Sequence, residues 1–188
     1  MAARPIVITG DPVLHSLASP VGEIDNTVRD LVRDLEETMA AAPGVGLAAP
    51  QVGVPLRIFV YSWVAPDGVL HAGTAINPEL LITPLEVGDL DEVEESEGCL
   101  SIPGERFPLR RAAEAVLTAT GLDGERYQVH ATGWLARIFQ HEFDHLDGVL
   151  YADRLTHPHD KGAAKAIRKK SWGSPGQSWM PGVDDLDA

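Results

Sequence analysis

Gln140-His141-Glu142-Phe143-Asp144-His145-Leu146-Asp147-Gly148 is the stretch on which the reading of this chain turns. Four positions separate the two histidines, so on a helix they stand one turn apart on the same face. Two imidazoles so placed can grip one metal ion, and the glutamate between them can take a proton from a metal-bound water. Upstream, Trp134, Ile138, His141 and His145 fall on one helical stripe, with Leu135, Phe139 and Leu146 beside it. Gly148 supplies a stop. The competing reading is an ordinary amphipathic helix with hydrogen-bonded histidines. A catalytic metal site also needs a third ligand and an open position, so the rest of the chain has to supply that ligand.

Bulk properties bound the answer. At 188 residues and 44% hydrophobic the chain can build one sizeable core. A net charge of −13 argues against a DNA-binding protein. No stretch approaches the ~18 consecutive apolar residues of a membrane span. Met1-Ala2-Ala3-Arg4-Pro5 is not followed by the apolar run of a signal peptide. The single cysteine, Cys99, excludes an internal disulfide and fits a reducing compartment, so a cytoplasmic location is expected.

From the start of the chain, Pro5 to Ile8 reads as a short strand entering a turn at Gly10-Asp11-Pro12. Asp25 or Asn26 can cap a helix in which Val28, Leu31, Val32, Leu35 and Met39 recur at helical spacing. Gly44-Val45-Gly46-Leu47-Ala48-Ala49-Pro50-Gln51-Val52-Gly53 cannot be a regular helix or a central strand, and reads as a loop. Arg57 to Tyr61 is a strand, and Val69 to Asn77 runs back after the turn at Pro66-Asp67-Gly68. Leu80 to Val87 is a separate extended piece, interrupted at Pro84. Ala115 to Thr120 and Arg126 to Ala131 flank a hairpin turn. Gly162 to Lys170 is a short basic helix. Strands in the middle and helices near both ends, with no βαβ alternation, give an α+β fold: antiparallel strands packed around a central metal-binding helix, with N- and C-terminal helices. One catalytic domain is expected over residues 1–170. Residues 171–188 read as a C-terminal tail, part of which Trp172 and Trp179 could dock on the body.

The acidic run before Gly98 reads as a solvated loop from Asp89 to Glu94. Cys99 differs from its surroundings. Neighbouring carboxylates disfavour a free thiolate, whereas a bound divalent cation would hold the sulfur deprotonated. Among the third ligands Cys99 therefore leads, with His157 and His159 as the other candidates and a simply buried cysteine as the bland one. Standard metalloprotease arrangements fail. Tyr151 stands where a metzincin would place its third histidine, and no glutamate follows Glu142.

Three blocks now stand in order: Gly44 to Gln51, Glu97-Gly98-Cys99-Leu100-Ser101, and Gln140 to His145. Together they resemble the three signature motifs of the peptide deformylases. The similarity extends to Gly10-Asp11-Pro12-Val13-Leu14 and covers about residues 1–165. The resemblance implies that Cys99, His141 and His145 bind one divalent metal, usually Fe2+ in the cell, with Zn2+, Ni2+ or Co2+ able to replace it. It implies removal of the N-formyl group from the formylmethionyl end of nascent polypeptides, releasing formate. On this reading a metal-bound hydroxide is the nucleophile and Glu142 the general base and acid. The Gln51 amide and the Leu100 backbone N–H stabilise the developing oxyanion. Gly46 lets the substrate backbone pair alongside, and Val45, Trp134, Ile138 and His141 line a methionine pocket. The basic segment Lys161 to Lys170 is a candidate ribosome contact. A zinc endopeptidase on the same helix, and a non-enzymatic module whose structural metal has four protein ligands, are the competing readings.

Overall fold

The structure, a computed structural model, describes residues 3–184. Helix α1, Asn26–Ala41, starts where the Asp25 side chain accepts from the Val28 N–H at 3.0 Å, one of the cap bonds that satisfy orphan amides at a helix start. Strands β2 (Gly46–Ala48), β3 (Ile58–Val64), β4 (Leu70–Ile82), β7 (Glu114–Thr120) and β8 (Arg126–Thr132) form one antiparallel sheet in the order β2-β3-β4-β7-β8. Strands β5 (Ser96–Cys99) and β6 (Ile102–Pro108) make a separate hairpin. Helix α2 spans Gly133–Leu146 and α3 spans His159–Lys169. Two short strands, β1 (Ile6–Val7) and β9 (Ser178–Trp179), pair antiparallel.

Alternation along β3 shows how the layers are built. Ile58 and Val60 face α1, joining Val32, Leu35 and Met39 in one core. Phe59 and Tyr61 face the other way, onto Phe139 and Ile138 of α2. The Tyr61 and Phe139 rings meet edge to face at 4.9 Å. The sheet is thus covered on both faces, and α2 is nearly buried all round. A third core, with Leu14, Ile102, Leu150 and Tyr151, joins the β5–β6 hairpin to α3 and the chain that follows α2. Gly148 ends the α2 region as expected. Its φ is +72°, and a Cβ there would lie 2.7 Å from the backbone nitrogen of Ser16.

Some expectations need correction. The extended pieces Val69–Asn77 and Leu80–Val87 are one strand, β4, ending at Ile82 before Pro84. Its irregularity lies between Ile76 and Glu79, where the register shifts. Pro78 has no N–H for the ladder, and Asn77, at φ +49°, turns its amide out to bond both backbone groups of Val21 at 2.8 Å. The loop over residues 44–53 contains β2 and a 3-10 turn, Ala49–Val52. That strand lies at the sheet edge, the place where a glycine-rich segment can still pair. Strands β5 and β6 were not anticipated, because the acidic run hid their pattern. Residues 171–184 of the expected tail lie against the body through β9, with Trp179 in the α1 core; residues 185–188 lie outside the described residues. Among the described residues no helix is long and apolar enough to cross a membrane.

Candidate metal centre and active site

Both histidines project from the same turn-spaced face of α2, their ring centroids 5.0 Å apart. Cys99, the last residue of β5, brings its Sγ to 3.3 Å from His145 Nε2. One ligand atom from each of Cys99, His141 and His145 lies within 4.8 Å of the others, and all three residues are buried. Thiolate and imidazole ligands around a tetrahedral ion stand roughly 3.3–3.6 Å apart, given bond lengths of about 2.3 and 2.0–2.1 Å. The Cys99–His145 separation matches that spacing, and a thiolate with two imidazoles is a donor set that suits a divalent cation. His157 and His159 are not part of the cluster: the first is exposed, and the second lies 3.9 Å from Glu92. Tyr151 is buried beside the centre, its ring stacked on His141 and its hydroxyl donated to the Glu105 carbonyl at 3.1 Å.

Glu97 was missed as a site residue, although its place two residues before Cys99 on a strand puts both side chains on one face. It accepts from His141 Nδ1 at 3.2 Å, which leaves Nε2 of that ring for a metal. Arg111 and Arg137 also donate to it, at 2.7 and 2.9 Å. Burial alone would push the Glu97 carboxyl up; the His141 bond and the Arg111 charge outweigh it and hold the group well below the usual range. Arg111 continues to Asp144 at 2.6 Å, and Arg154 closes on the same carboxylate at 2.6 Å. The acidic stretch thus divides. Asp89 and Asp91 to Glu94 are exposed, whereas Glu97 is buried among cations. Burial lowers the His141 imidazolium, but the Cys99 sulfur and Glu97 raise it well above its ordinary value.

Glu142 stands at the floor of a cleft of about 540 Å3. It is 4% exposed, and burial pushes its carboxyl up to about 7 despite the opposing charge of His141. Its Oε2 has no hydrogen-bond partner among the described residues. Gly46 of β2 makes room for it, since a Cβ there would lie 2.3 Å from Glu142 Oε1. This is a role for Gly46 that the sequence did not reveal. Gln51 is also buried. Its Oε1 accepts from the Ala48 N–H at 2.9 Å, which turns Nε2 toward Ser101 Oγ at 3.3 Å and Cys99 Sγ at 3.8 Å. Leu100, Val45, Trp134 and Ile138 all line the cleft, as does His141. Val45, Gly46, Gln51, Cys99, Leu100, Trp134, Ile138, His141 and Glu142 therefore meet at one cleft, drawn from β2 and the residues flanking it, the β5–β6 hairpin and α2, with His145 behind them against Cys99.

A buried Cys-His-His cluster with a glutamate from the same helix, beside a cleft, is the arrangement that a metal-dependent hydrolase uses. The family model for polypeptide deformylase matches residues 3–161, and the chain belongs to that family. A peptide deformylase of Tropheryma whipplei (strain Twist) is 49% identical over 94% of this chain and 82% of its own. Peptide deformylase 2 of Corynebacterium efficiens is 47% identical over 98% and 96%. Among solved structures, the peptide deformylase of Ehrlichia chaffeensis in complex with actinonin superposes with a TM-score of 0.77, at 33% identity over 90% of this chain and 98% of that one.

Proposed function

We propose that this chain is a working peptide deformylase in which Cys99, His141 and His145 hold one divalent metal ion, ferrous iron in the cell. The observation that carries this is the buried three-ligand cluster with Glu142 and the Gln51 amide turned onto the same cleft. A bound cation supplies Lewis acidity, sharpening a water as nucleophile and polarising the formyl carbonyl. Glu142 accepts the proton of the attacking water and later delivers it to the departing amine nitrogen, so that the C–N bond breaks and formate leaves. As charge builds on the formyl oxygen, Gln51 Nε2 and the backbone N–H of Leu100 donate to it. The methionine side chain lies against Val45, Trp134, Ile138 and the ring of His141, while the β2 edge at Gly46 receives the peptide backbone. A thiolate with two imidazoles accepts several ions, so zinc, nickel or cobalt can substitute for iron.

The deciding assay is formate release from formyl-Met-Ala-Ser by anaerobically purified protein, with and without a chelator. Rapid release that the chelator stops is expected; no release from metal-loaded protein would overturn the assignment. Elemental analysis of the same sample identifies the resident ion. Work on nascent chains goes with a cytoplasmic location beside translating ribosomes. Lys161, Lys165, Arg168, Lys169 and Lys170 are all exposed, and they offer phosphate-rich RNA a basic contact. Co-sedimentation with ribosomes that weakens with salt and on replacing these residues by Glu supports this contact; equal binding by the variant removes it.

A further inference from the structure

The segment C-terminal to the family match reaches the cleft. Ile6 pairs with Trp179 and Val7 with Ser178, and the Ile8 N–H donates to the Gln177 carbonyl at 2.9 Å. This lays Trp179 into the core that α1 makes with the sheet, where it is 5% exposed. Its indole Nε1–H emerges from that core and donates to the carbonyl oxygen of Leu100 at 2.8 Å. Trp179 and Gly182 then form part of the cleft wall.

Leu100 and Ser101 are the two residues at the tip between Cys99 and Ile102, which pair across the β5–β6 hairpin. The Leu100 carbonyl and the Leu100 N–H lie in neighbouring peptide planes that meet at Cα, so holding the carbonyl in a tip this short restricts the φ and ψ that aim the N–H. The tip is fastened at several points. A Cβ on Gly44 would meet Leu100 Cδ1 at 2.8 Å, so the side chain is pressed on the Gly44 backbone. The Ser101 carbonyl accepts from the Thr9 N–H at 2.8 Å, and its hydroxyl is within 3.3 Å of Gln51 Nε2. The indole grips Leu100's own carbonyl, and it does so from a rigid core rather than from the hairpin.

We infer that Trp179 is a positioning residue for deformylation, its indole N–H holding the Leu100 carbonyl and so the backbone angles at Leu100 that aim the Leu100 N–H at the developing oxyanion. This rests on the role given above to Leu100. Oxyanion donors act through placement, so a small rotation of the donor lowers the rate without loosening substrate binding.

The test replaces Trp179 in the full-length protein in two ways. Trp179→Phe keeps a ring and removes the donor. Substitution by β-(3-benzothienyl)alanine keeps the shape of the indole and exchanges only N–H for sulfur, so it carries the test even if the phenylalanine variant does not fold. A fall in kcat of about tenfold is expected in both, with KM within about twofold and metal content unchanged. The amide resonance of Leu100 in 15N-labelled protein shifts as well. A tryptophan that merely packs would lower the melting temperature and leave kcat alone. Wild-type kcat in the benzothienyl variant, or an unmoved Leu100 amide, overturns the inference while leaving the deformylase assignment standing. Wild-type protein that releases no formate sinks the assignment itself, and the positioning role with it.

Discussion

Helix α2 and the β5–β6 hairpin each bring metal-ligating types of side chain to the same cluster, by different physical means. On α2 the relation between His141, Glu142 and His145 is fixed by helical geometry, and the helix is held by apolar burial against the sheet. On the hairpin, Cys99 leads into a two-residue tip, Leu100 and Ser101, whose place depends on distant partners. These are Arg111 and Arg137 on Glu97, Thr9 on Ser101, and Trp179 on Leu100. The ion pairs of Arg111 tie the two regions together, joining Glu97 of the hairpin to Asp144 of the helix. Local geometry makes half of the site; long-range charge and hydrogen bonds hold the other half in register with it.

Substitutions can break that contrast in graded steps. The largest effect is expected from Glu142→Ala, which should cut formate release by as much as roughly 10⁴-fold while elemental analysis still finds one metal per chain. Loss of the metal as well would show that Glu142 holds the ligands in place. Arg111→Leu strips Glu97 and Asp144 of a shared buried cation, and a loss of about 3–5 kcal/mol in denaturant unfolding is expected. If the hairpin is the dependent half, metal affinity falls with it; unchanged stability and affinity would mean that Arg137 and Arg154 suffice. Gln51→Leu removes a side-chain donor from the cleft and should lower kcat by about 10²-fold, with stability measured separately by thermal unfolding. The smallest effect belongs to Asp25→Ala, which removes the α1 cap far from both regions. A loss of about 1 kcal/mol with unchanged kcat is expected; a change in kcat would show that α1 communicates with the centre.

Legibility in the sequence followed the same division. The helix spacing of His141 and His145, the apolar stripe of α1 and the hairpin between β7 and β8 are all carried by neighbours a few positions apart, and each was readable. Strands β5 and β6 were not, because Glu95 and Glu97 resemble their exposed neighbours until Arg110 and Arg111 are brought against them. Glu97 could have been noticed from its two-residue spacing to Cys99; Arg111 and Asp144 had no comparable local signal, and Trp179 was read as docking the tail on the body but not as reaching the site. Gly46 was read as a site for the substrate backbone, but the crowding by Glu142 that forbids a side chain there arises only when β2 meets α2.

What the sequence determined by itself is therefore the chemistry: two imidazoles and a carboxylate on one helical face, a thiolate, and an amide on a glycine-rich segment. Side-chain identity and short-range periodicity suffice for that. Tertiary structure alone decided the alignment of those groups, through the buried pairing of Glu97 and Asp144 with arginines, the closeness of Gly46 to Glu142, and the indole on Leu100. Each of these contacts joins residues far apart in the chain. Their energies depend on burial, and burial exists only after the layers have packed.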